Sequence, residues 1–148
     1  MTRTVPATPD SRALENTAPS TLPAQAVFSK RKDAPARARA YVRDLLATED
    51  TPLAEQRIDD VCLVVSELVT NAYLHGTTRG DSLRVVVVSA ESFVRVEVHD
   101  PVRRRPRVLG PSAESEGGRG LRIVAGLAAR WGVEERPFGK AVWAEVAR

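Results

Sequence analysis

Glu67, Asn71 and His75 stand four residues apart within residues 58–76, IDDVCLVVSELVTNAYLHG. On a helix a four-residue step stacks side chains one above another. The spacing therefore predicts a column of carboxylate, amide and imidazole. A carboxylate whose pKa is raised by burial can accept a proton from a hydroxyl or water. An amide oxygen one turn along suits Mg²⁺, which takes hard oxygen ligands, keeps several waters and borrows others from phosphate. Two further segments carry complementary chemistry. Asp100 closes the run FVRVEVHD, and a fixed carboxylate at a strand end can accept from an exocyclic amine. Gly117, Gly118 and Gly120, in GGRGL, lead into a predicted helix, whose free backbone N–H groups and dipole favour phosphate. Each piece alone is commonplace: an accidental helical pair, a turn-forming aspartate, a tight glycine connection. Their order, separated by one hairpin and one long loop, is far harder to obtain by chance.

The elements that must position these groups can be read from periodicity. Ile58, Val61, Cys62, Val65, Leu68, Val69, Ala72 and Tyr73 recur at three- and four-residue steps and give the central helix a face able to cover a sheet. Val64 and Leu74 flank the polar column, which places it at a pocket wall, and Gly76 ends the helix. Before it, residues 24–29 (AQAVFS) read as an edge strand. Asp33 reads as the cap of a helix with Pro35 in its first turn, and Ala38, Tyr41, Val42, Leu45 and Leu46 form its inner face. Thr48 and Pro52 bound the break after it. After it, residues 77–81 make a turn, and residues 83–89 and 93–100 form an antiparallel hairpin. Residues 101–116 show no period and read as a long loop. A helix over residues 121–129 and a final hairpin, 131–136 with 140–146, complete the chain, with Trp131 and Trp143 serving core and sheet edge. Helices gathered on one face of a mainly antiparallel sheet give an α+β two-layer sandwich.

Composition sets the bounds. The 148 residues suit one domain, residues 24–148, behind an arm over residues 1–23 too poor in large apolar side chains to fold. Hydrophobic and charged contents of 43% and 28% are ordinary for a soluble protein. The excess of 22 basic over 19 acidic side chains leaves a net charge of only +3, too little to argue for nucleic acid. The run RRRPR, residues 103–107, lacks the interleaved aromatic residues of a nucleic-acid groove and reads as a solvated lid. The alternative is that one of its arginines folds onto a triphosphate or an acidic partner. The one cysteine, Cys62, lies on the apolar stripe, so no internal disulfide forms. With neither a membrane-length apolar run nor a signal segment, a cytoplasmic protein is expected.

The segments SELVTNAYLHG, VEVHD, GGRGLRIVAGLAARWGV and GKAVWAEV together resemble the GHKL ATPase superfamily with its Bergerat nucleotide fold. Within it the chain is most similar to small ATP-binding anti-sigma factor serine/threonine kinases of the actinobacterial type, over about residues 24–148. The resemblance implies Glu67 as general base, Asn71 as Mg²⁺ ligand and Asp100 as reader of the adenine amine. It implies that Gly118, Arg119, Gly120 and Leu121 form the second glycine box around the phosphates of ATP, with His75 in support. A sigma factor and an anti-sigma factor antagonist are the implied protein partners, and a homodimer the implied assembly. Two departures stand out: Val102 where the family commonly has glycine, and Ala141 where it usually has a hydroxyl residue after GK. Each takes room or a polar contact from the base, and a lost neutral hydrogen bond costs about 0.5–1.5 kcal/mol. The alternative expectation is thus a non-catalytic partner-switching module with weakened or lost ATP binding.

Overall fold

The computed structural model describes residues 23–29, 31–50, 52–76, 82–100, 116–137 and 139–148. The expected arm (but for its last residue), the turn at 77–81 and almost all of the expected 101–116 loop, with RRRPR and Val102, lie outside the described residues. In chain order the elements are β1 (Ala24–Ser29), α1 (Ala34–Ala47), α2 (Glu55–Asn71), a π-helical turn (Ala72–Gly76), β2 (Ser82–Ser89), β3 (Phe93–Asp100), α3 (Glu116–Leu127), β4 (Arg130–Arg136) and β5 (Gly139–Ala147). The strands pair antiparallel throughout, in the order β1-β2-β3-β5-β4.

Strand alternation sorts the sheet into two faces. Val85 and Val87 of β2, Val94, Val96 and Val98 of β3, Val142, Ala144 and Val146 of β5, and Trp131 and Val133 of β4 share one core with the buried faces of all three helices. The helices therefore lie on one side, and the two-layer α+β architecture expected from the sequence is the observed one. α2 occupies the middle, packed by α1 on one flank and α3 on the other. That position explains why its buried residues run nearly round the helix, from Val61, Cys62 and Val65 to Ser66 and Asn71. α1 is pinned to α2 by Arg43, which reaches Asp59 at 2.7 Å and Glu55 at 3.3 Å.

Three local expectations are corrected. Asp33 sits at φ −85°, ψ −1°, and its side chain makes no cap hydrogen bond. Its carboxylate instead lies 3.5 Å from Arg31, because a helical backbone there lacks the extended geometry from which a cap reaches forward. α3 starts at Glu116, five residues before the expected Leu121, and ends at Leu127. Its glycines are part of the first turns although glycine is a poor helix former. The central helix starts at Glu55 and stays α-helical only to Asn71, after which the π-helical turn carries the chain to Gly76.

Candidate functional site

Glu67 and Asn71 occupy the last turns of α2, held there by the apolar stripe that seats the helix on the sheet. Asn71 is 5% exposed and Glu67 half-buried, an arrangement consistent with a sheltered wall. His75 belongs to the π-helical turn that follows Asn71. In a π-helical turn the hydrogen bonds run over five residues, so four residues no longer complete one turn. Of the two residues expected to flank the column, Val64 is buried and Leu74, in this turn, is 42% exposed. This turn packs on β3, the strand that ends in Asp100.

The glycine segment meets α2 directly. A Cβ placed on Gly120 would lie 2.7 Å from Glu67 Oε2 and 3.6 Å from Glu67 Cβ. Only a residue without a side chain lets the backbone of α3 approach the carboxylate this closely. Gly118 and Arg119 lie in the first turn of α3, among the residues whose backbone N–H groups have no partner within a helix. Leu121 is fully buried in the core, where its side chain anchors α3 instead of facing a ligand.

Asp100 is 5% exposed at the tip of β3. Its cross-strand partner is Lys140, the second residue of β5, and the two share the helix-covered face. Lys140 Nζ lies 3.7 Å from Asp100 Oδ2, with side-chain exposures of 4% and 0%. Gly139 precedes it at φ 142°, a backbone region that other residues rarely adopt. Ala141 pairs with His99 and Glu134 and so points to the opposite face. The expectation that Ala141 removes a polar contact beside the base is therefore corrected: the position next to Asp100 belongs to Lys140. Sequence reasoning missed Lys140, because a lysine beside a glycine reads as a solvent-facing cation and only the register reveals its face.

The sequence matches the model of the histidine kinase-like ATPase domain over residues 28–146. The chain belongs to this family. Membership in an ATPase family implies ATP as the nucleotide. Among solved structures, the RsbU and RsbW domains of Rv1364c from Mycobacterium tuberculosis share the fold. They superpose with a TM-score of 0.65 at 22% identity, over 86% of this chain and 33% of that one, so this chain spans about a third of its length. No curated protein matches the chain. No described helix is long and apolar enough to cross a membrane.

Proposed function

We propose that this histidine kinase-like ATPase domain is an anti-sigma factor that phosphorylates a serine or threonine of an anti-sigma factor antagonist. The observation that supports the reading is the close approach of the Glu67 carboxylate to Gly120, which would put a proton acceptor beside a glycine segment suited to phosphate. Asp100 would accept from the adenine amine, and Asn71 would ligate Mg²⁺ through its amide oxygen. Among the described residues no group of three or more His, Cys, Asp or Glu stands ready for a metal. A cation here would thus take its remaining ligands from phosphate and water, as Mg²⁺ does at kinase sites. Mg²⁺ would supply charge stabilisation to the phosphates.

In this reading Glu67 takes the proton of the partner's hydroxyl as its oxygen bonds to the γ-phosphorus, and the bond to the β-phosphate oxygen breaks to release ADP. Such transfer depends on positioning and electrostatics, which fixed groups on a rigid helix can supply. Sequestration of a sigma factor, assembly as a homodimer, a cytoplasmic location and the division into an arm, residues 1–23, and a domain, residues 24–148, belong to the same proposal. Their support is the family resemblance and the fold shared with a structure that includes an RsbW domain. The non-catalytic partner-switching reading loses one of its two supports, since Ala141 points away from Asp100.

Glu67→Ala is expected to lower phosphate transfer to the antagonist by about 10²–10⁴-fold, the usual worth of a positioned base. Mg-ATP affinity should stay within a few fold. Transfer at the wild-type rate would remove Glu67 from the role.

A further inference from the structure

We propose that Lys140 is a base-reading residue, donating a hydrogen bond to the purine ring nitrogen adjacent to the amine that Asp100 accepts from. The proposal rests on the ATP reading above and extends it. Lys140 and Asp100 are register partners at the ends of β5 and β3, on the face that the helices cover. A lysine is rarely buried to this degree unless paired. As a purely structural device a buried ion pair is a weak choice, because desolvating two charges often outweighs their attraction and an apolar pair would serve as well. Along the same face the preceding cross-strand pairs, Val98 with Val142 and Val96 with Ala144, are apolar. The change to a charged pair comes only at the end of the strands, at the residue assigned to the base.

The chemistry of the base supplies the reason. The edge of adenine presents a donor, the exocyclic amine, beside an acceptor, the neighbouring ring nitrogen. A carboxylate alone reads the first and leaves the second without a protein donor. An ammonium carries three donors and can serve Asp100 and a base together. The pair 3.7 Å apart thus offers an acceptor and a donor side by side, the complement of that edge. It also gives the site the polar contact that Ala141, on the other face, cannot give.

The test compares Mg-ATP with the Mg complex of 1-deazaadenosine triphosphate, in which that ring nitrogen is a C–H, by calorimetric titration of the full chain and its Lys140→Met variant. The wild type should bind the analogue about 10-fold or more weakly than ATP, as expected for losing a hydrogen bond to a charged group. Lys140→Met should weaken ATP by a similar factor and the analogue no further. Equal affinity of the wild type for both nucleotides overturns the proposal, as do two losses that multiply in the variant. The wild-type comparison needs no substitution, so it stands even where Lys140→Met fails to fold. A wild type that binds neither nucleotide overturns the ATP reading and this proposal with it, whereas ATP binding without discrimination overturns Lys140 alone.

Discussion

On one side of β3, Val94, Val96 and Val98 lie under the helix layer, while on the other Arg95, Glu97 and His99 lie where none of the described helices covers them. Yet Arg95 is 1% exposed, as dry as the valines beside it. It reaches Glu97 at 2.7 Å and Glu145 at 3.2 Å, and its guanidinium stacks 4.2 Å from the Trp143 ring centroid. Arg130 pairs with Glu145, and Arg136 with Glu134, closing a lattice in which long side chains cover one another. The charges of this face satisfy each other and hold the strands together. The helix-covered face is apolar until its end, where Asp100 and Lys140 stand. Burial alone therefore does not mark a working group here; what surrounds the buried charge does.

Breaking the lattice should have the largest effect on stability. Arg95→Ala leaves Glu97 and Glu145 without their shared cation and Trp143 without its stacking partner. Chemical unfolding should then report a loss of about 3–5 kcal/mol, the usual result of removing one member of a buried ionic group. A loss below 1 kcal/mol would mean that the face is held by packing rather than by its charges.

Acid should sharpen the same contrast. Burial opposes ionisation of Glu97, but hydrogen bonds from His99 and Arg95, with their charges, outweigh it and hold the carboxyl at about 2 against an ordinary 4.5. A depressed pKa contributes stability that is complete above the ordinary value and lost as pH falls through the folded one. Stability should accordingly decline between pH 4.5 and 2, with Glu97 accounting for on the order of 2–3 kcal/mol. In Glu97→Gln that part of the acid limb should flatten; an unchanged limb would exclude Glu97 as its source.

The smallest effect on the fold is expected from Gly120→Ala. The new methyl would fall 2.7 Å from Glu67 Oε2, and the flexible carboxylate can swing aside. If Glu67 is the proposed base, displacing it by an ångström can cost about 100-fold, so the proposed phosphate transfer should fall by roughly 10- to 100-fold. The melting temperature should stay within a few degrees, since alanine favours a helix more than glycine does. Unchanged transfer would show that the close approach does not position Glu67.

The strands and the inner faces of α1 and α2 were legible because valine and leucine repeat at two- and four-residue steps. The start of α3 was not, since Gly117, Gly118 and Gly120 carry no periodicity and argue locally against a helix. The change of helix type after Asn71 was hidden too. Nothing in AYLHG announces a π-helical turn, which packs on β3. Glu67, Asn71 and Asp100 stood out by chemical type, and the glycines by clustering. Lys140 could be found only from the register of β3 with β5, a long-range pairing that no local pattern encodes.

The central claim is that Glu67, Asn71, Asp100 and the glycine-bearing start of α3 serve one nucleotide. Calorimetric titration of Mg-ATP into the wild type and Asn71→Ala tests it most directly. The account predicts saturable binding by the wild type that weakens when Mg²⁺ is chelated, and an Asn71→Ala variant whose affinity is weaker and no longer depends on Mg²⁺. Binding that is absent in the folded wild type, or equally strong and equally Mg²⁺-dependent in the variant, would contradict it.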